Sequence, residues 1–359
     1  MYRYGYNMTT GEIFIPTSTN LIHDLNTLEM IDGSSGNFYQ VCDIDVSGAG
    51  SWKPMKLYGN TSGSRFDGGV HKITGLTMTT SESTAGLFGL IQGNSIVCNV
   101  NLIEPEITVN ATDTCYVGAI CGKVNNILSE EDRLALIGTF PDNLSDVVKN
   151  ELIKALLEDA LNSQSKIVAC RVENPTITVT RVAPRVGSIS GSAEDRNEEG
   201  TYKSGIWDTY SLGGTISVNA GNPAANDGAY VGGFCGLNNG FITRSYTTID
   251  DITAEVEIIT GTDPNGDPVY GTEDIYQGFA TMGTLYTSSE GGYITNDWAE
   301  LDDDNSNVSS FQDSWPTFGT YTGIWPVLST GWMSSPGTSF WYDLGSETTY
   351  YPILQWERR

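Results

Sequence analysis

Two histidines, His23 and His71, are the only imidazoles in the 359-residue chain. A serine or cysteine nucleophile that relies on an imidazole base must use one of them. His23 follows Thr19-Asn20-Leu21-Ile22 near the start, and His71 lies within Gly68-Gly69-Val70-His71-Lys72-Ile73. No serine sits in a G-x-S-x-G turn and no cysteine has a local catalytic signature, so both histidines read as structural. The G-x-x-G turns lack a following lysine or helix, which argues against a phosphate-binding loop. Carboxylates are far more numerous, at 44. Cleavage of a polysaccharide needs two of them at a fixed separation. Asp208 and Asp297 fall in related stretches, with Arg244 where a third stretch has its Asp208 equivalent. A row of Asp208, Arg244 and Asn296 along one outer face would hold a polar ligand. It names no acid and base, and no catalytic residue is assigned.

Metal chemistry has little support. The six cysteines form no C-x-x-C pair, the usual zinc spacing. Asp263, Asn265 and Asp267 imitate the start of an EF-hand loop, but Pro268 stands where glycine is required and Asp274 stands at the twelfth position. No metal site and no cofactor are expected. Six of the eight tryptophans fall at Trp298 or later. Sugar faces pack on such rings, so Trp315, Trp325, Trp332 and Trp341 are candidate binding residues. The same rings would also close an open β-structure at its end.

The net charge of -26 repels phosphate backbones, so nucleic acid is excluded as a partner. No apolar run reaches the 18 or so residues of a membrane span, and Met1 is not followed by a basic-then-apolar leader. Hydrophobic residues make up 39% and charged ones only 17%, with 41 glycines. That composition suits short strands joined by many turns.

The elements that must position these residues come from a repeat. Gly228–Thr247 reads GAYVGGFCGLNNGFITRSYT, and four other stretches share its plan: a small residue, an apolar residue and a glycine, then a turn, then Ile-x-x-x-apolar. They begin near Ala85, Gly118, Gly187 and Gly278. Alignment stacks Phe88, Cys121, Ser190, Cys235 and Met282 at one position. It stacks Ile96, Val168, Ile206, Ile242 and Ile294 at a second, and Val100, Val172, Tyr210, Tyr246 and Trp298 at a third. The last two positions, four apart, are expected on one side of one strand. Repeats of this kind bury a core only when stacked. Glycines are expected at the corners, where positive φ is needed, and the cysteines as buried thiols.

The copies resemble the GLUG motif of bacterial surface proteins and adhesins. The upstream Asp43–Asp45, Trp52 with Pro54, and Phe66–Leu76 resemble the usual lead-in, and TGIWPVL and YYPILQW resemble usual endings. The resemblance implies a right-handed parallel β-helix and no single activity.

The fold class expected is therefore all-β, a parallel β-solenoid with a small inserted α-helical hairpin. The domain reading is 1–36 as N-terminal lead-in or cap, 37–298 as β-helix and 299–359 as aromatic-rich cap. Residues 129–162 carry the hairpin, with leucines at helical spacing. The matching turn of the next copy holds a polar insertion, SAEDRNEEGTYK. Asn-Gly between EVEII and VYGTEDIY predicts a β-hairpin. The expected function is a non-catalytic adhesion or surface-recognition module, extracellular or on a cell surface, binding a glycan or a host or cell-surface protein. A phage or viral spike on a virion surface and a polysaccharide-cleaving β-helix enzyme are the alternatives.

Overall fold

The computed structural model describes residues 2–3, 6–7, 20–59, 63–110, 112–125, 165–181, 183–194, 204–221, 229–243, 245–265, 268–274, 280–282, 293–295, 298–299, 341–342 and 353–354. The helical insertion expected over 129–162 lies outside them. Nearly everything described is β-strand, and the strands stack into five parallel sheets. One circuit visits each sheet in turn. Thr84–Ala85 lies in sheet I, Phe88–Gln92 in sheet II, Ser95–Cys98 in sheet III, Asn101–Ile103 in sheet IV and Glu106–Asn110 in sheet V. The next circuit repeats the order with Cys115–Val117, Cys121–Asn125, Lys166–Val168, Arg171–Glu173 and Thr176–Arg181. Every strand of the second circuit pairs in parallel with its counterpart in the first. This is a parallel β-helix. Sheet III, with eight strands, starts at Asn20–Ile22, inside the stretch read as lead-in.

Like residues stack because each circuit repeats the last. The sheet V interior carries Met78, Ile107, Ile177, Ile216 and Ile252 in one row, all at most 4% exposed. Each such side chain is worth roughly 1.5–3 kcal/mol when taken fully from water. In sheet II, Phe88, Cys121, Ser190 and Cys235 stand directly opposite one another. Met282 does not join them: a register shift puts Ala280 opposite Cys235 and Met282 opposite Asn238.

Sheet III corrects the second stack by one residue. Its interior row is Phe66, Val97, Ile167, Ile206 and Ile242, with Ile294 in register opposite Ile242. Ile96 stands opposite Arg65 and Lys166 and is half-buried, whereas Val97 is 0% exposed. Val168 stands opposite Cys98 and Trp207. A slip of one reverses the face, and both Ile-Val pairs offer two β-branched residues to choose between. The third stack changes too. Tyr210, Tyr246 and Trp298 are in register, with Arg171 rather than Val172, and Val172 stands opposite Leu102 and Ser211. The second and third positions do not share a strand. A sharp corner separates sheet III from sheet IV, built on Asn99 (φ 54°), Ala169 (φ 53°) and Asp208 (φ 49°).

Those corners are not glycines. Glycine does turn other corners, Gly93 (φ 73°) between sheets II and III and Gly213 (φ 58°) and Gly214 (φ 86°) between sheets IV and V, while the central glycines of the repeats meet a different need. A Cβ on Gly122 would lie 2.7 Å from the Tyr116 carbonyl oxygen and 2.8 Å from that of Gly89, and one on Gly191 would strike the Val117 amide nitrogen and lie 2.6 Å from the Gly122 carbonyl oxygen. Sheet I folds back so closely on sheet II that only a hydrogen fits between them.

Later circuits place hydroxyls inside, two on sheet IV and one on the turn from sheet I to sheet II. Ser188, Ser211 and Thr247 are buried and chained by two 2.6 Å hydrogen bonds, and Thr247 Oγ1 donates on to the Gly233 carbonyl at 3.3 Å. Each hydroxyl is satisfied, so the polar interior is not left uncompensated. The Asn-Gly hairpin is present: Asp251–Thr262 pairs antiparallel with Pro268–Asp274 at one end of sheet V.

All six cysteines are free thiols; Cys42 is half-buried and the other five are buried. Burial pushes the thiols of Cys170 and Cys235 up to about 12, and raises those of Cys98 and Cys121 well above the usual range. Thiolate is the reactive form. Native protein at pH 8 is therefore expected to label one thiol rapidly with a chromogenic disulfide, and five only on unfolding. Rapid labelling of Cys121 or Cys235, read by mass spectrometry, contradicts the stacked interior.

Candidate functional site

The residues expected to form a binding row are placed differently. Asp208 is 1% exposed and occupies the positive-φ corner between sheets III and IV, so it does not stand on an outer face. Arg244 and Asn296 lie outside the described residues, as do Trp315, Trp325 and Trp332. Trp341 belongs to the strand Trp341–Tyr342, antiparallel to Ile353–Leu354.

The acid–base candidates separate into enclosed and exposed sets. Asp67 accepts from Arg65 Nη2 at 2.5 Å, from Asn99 Nδ2 at 2.9 Å and from the Gly69 amide at 3.0 Å. Burial pushes its carboxyl above the ordinary aspartate range, against the pull of Arg65 and the Asn99 amide. Only 5% of the Asp67 side chain is accessible, so this cluster ties neighbouring circuits together and meets no substrate. His71 Nδ1 lies 3.5 Å from Asp43 Oδ1, and His23 Nδ1 lies 3.4 Å from Asp24 Oδ2. Each is a surface pair.

Two outer features remain. The first is the outer face of sheet V. Alternation along its strands sends aliphatic residues inward and leaves polar ones outside. Thr79, Thr108, Thr178, Ser217 and Thr253 form a central row in strict register. All are exposed except half-buried Thr108. A flanking row holds Thr77, Glu106, Thr176, Thr215 and Asp251, and another holds Asn110, Thr180, Asn219 and Glu255. Parallel strands repeat about every 4.8 Å, so hydroxyl, amide and carboxylate groups are arrayed at that spacing on rigid backbone. No cation and no aromatic ring interrupts these three rows.

The second is a ladder on sheet I. Tyr116, Arg185 and Tyr230 stand opposite one another on neighbouring strands. The Arg185 guanidinium carbon lies 5.8 Å from the centre of the Tyr116 ring and 5.0 Å from that of Tyr230. Lys123 Nζ lies 4.6 Å from the centre of the Tyr116 ring and 3.0 Å from Glu194 Oε2. Sequence reasoning passed over this group, yet a signal exists. The residue before each Val-Gly is the ladder position: Tyr116-Val117-Gly118, Arg185-Val186-Gly187, Tyr230-Val231-Gly232.

The register defines the class of molecule, a parallel β-helix with outward ladders. No protein-family model and no curated protein matches the chain. Among solved structures, the chain is similar to a crystal structure described as a "putative immunoglobulin A1 protease" from Bacteroides ovatus, at 16% identity, over 94% of this chain and 92% of that one, with a TM-score of 0.46.

Proposed function

We propose that this chain is a non-catalytic recognition module of an extracellular surface, in which the β-helix is the scaffold and the outer face of sheet V meets a glycan. The observation that carries this reading is the in-register array of hydroxyl, amide and carboxylate groups on that face. A parallel sheet in strict register presents these groups at regular spacing with little conformational freedom left to lose on binding. A hydroxyl-rich polymer offers the matching donors and acceptors. The central row carries no charge, and the carboxylates at its margins favour a neutral chain over an anionic one. The resemblance of the repeat to GLUG-motif surface proteins points the same way, as does the strongly acidic composition, which keeps such a surface soluble.

The test is retention and chain length on the same material. The protein is passed over immobilised neutral polysaccharides, and any that retains it is incubated with it in solution. The expected result is retention with no new reducing or unsaturated ends. New ends appearing in proportion to protein would replace this reading with a polysaccharide-cleaving enzyme.

A further inference from the structure

We propose that Arg185, held between Tyr116 and Tyr230 on sheet I, is a receptor for an oxyanion substituent, carboxylate or sulfate, of an acidic glycan. Arg185 is only 6% exposed. Its one hydrogen bond among the described residues runs from Nη1 to the Ala183 carbonyl at 2.7 Å. Nε is enclosed without an acceptor, and among the described residues Nη2 makes no hydrogen bond. Among the described residues no carboxylate pairs with this guanidinium, in a chain with 44 acidic residues against 18 basic ones. Arg65, Lys123 and Arg171 are each paired with an acid.

A guanidinium taken out of water without a counter-ion is costly. Two tyrosine faces recover part of the cost, but they satisfy no N–H. What remains is a cation with unsatisfied N–H groups, and an arriving oxyanion completes it with charge-assisted hydrogen bonds. The rings also fix the planar fork, so little side-chain freedom is lost when the anion docks. Neither tyrosine hydroxyl bonds within the protein among the described residues, and both rings are half-buried. They stand ready beside the anion for sugar hydroxyls. Lys123, over the Tyr116 ring, is already neutralised by Glu194. Among the described residues the site therefore has one free positive charge and takes one singly charged group.

The choice of a glycan rests on the recognition reading above, with the acidic sugar at sheet I a second ligand separate from the neutral chain at sheet V; the choice of an oxyanion rests on Arg185 alone. The experiment titrates the full chain with glucuronate, with galactose 6-sulfate and with glucuronate methyl ester, following tyrosine fluorescence and two-dimensional NMR. One of the two anions is expected to bind at least tenfold more tightly than the ester, and the preferred one identifies the substituent. Arg185→Gln is expected to lose at least tenfold in affinity for it. Arg185→Lys, which keeps the charge but not the fork, should fall between. A sheet V variant, Thr178→Lys with Ser217→Lys, should bind the anion as the parent does, which separates failure here from failure of the neutral-glycan face. Equal binding of acid and ester, unchanged affinity in a folded Arg185→Gln, or absence of binding by both anions overturns the proposal. Binding of an oligoglutamate peptide without either sugar overturns the glycan assignment.

Discussion

Gly191→Ala is expected to lower the unfolding free energy by about 3 kcal/mol, the upper end for overpacking a tight interior. The added methyl would strike the Val117 amide nitrogen and lie 2.6 Å from the Gly122 carbonyl oxygen. Both are backbone atoms held in parallel ladders, so neither can turn aside as a side-chain end would. Relief requires moving the sheet I strand of the previous circuit, and that movement passes to its neighbours. Gly236 faces the Val186 amide nitrogen and the Gly191 carbonyl in the same way, so Gly236→Ala should cost a similar amount. Gly261 is the control. A Cβ there meets nothing within 4 Å, and its replacement should stay within about 0.5 kcal/mol of the parent. Urea unfolding of the three variants decides the matter. Equal stabilities would mean that sheets I and II are not so closely opposed.

The second large effect separates two adjacent residues. Val97→Asn should cost about 3 kcal/mol, from lost apolar burial and an amide placed where no partner awaits it. Its row is Phe66, Val97, Ile167 and Ile206, each 0% exposed. Ile96→Asn should cost roughly 1 kcal/mol or less, since Ile96 stands beside Arg65 and Lys166 on the outside. The reverse order of stabilities would restore the register read from the repeat and contradict the one described here.

These two cases show how far the sequence reaches. The spacing of the repeats was enough for parallel circuits, because a motif with an apolar side chain at the same place in each copy can bury itself only by stacking. The Phe88–Cys121–Ser190–Cys235 position was legible because Gly89, Gly122, Gly191 and Gly236 follow it at once and anchor the alignment. The Ile96 and Val168 positions had no such anchor. Alternation of two β-branched residues cannot say which one faces in when a corner follows directly, and the corner itself was hidden. Asn99 and Asp208 are types that tolerate the left-handed conformation, but Ala169 at the equivalent corner is not, so residue type alone does not mark the corner as a repeated one. For the same reason Asp208 read as an outward acid. The Arg185 ladder was visible only as three unlike residues before Val-Gly. Its meaning lies in spacing between circuits, which a linear pattern does not display.

The most direct test of the recognition face is the affinity of a retained neutral glycan for the parent chain and for Thr178→Lys with Ser217→Lys, compared by surface plasmon resonance. Both sites are exposed strand positions in the central row, so the circular dichroism spectrum should be unchanged. The account predicts a loss of at least tenfold in affinity, because two long cations would stand where a flat hydroxyl row should be. Unchanged affinity in the folded variant would contradict it and move recognition off sheet V.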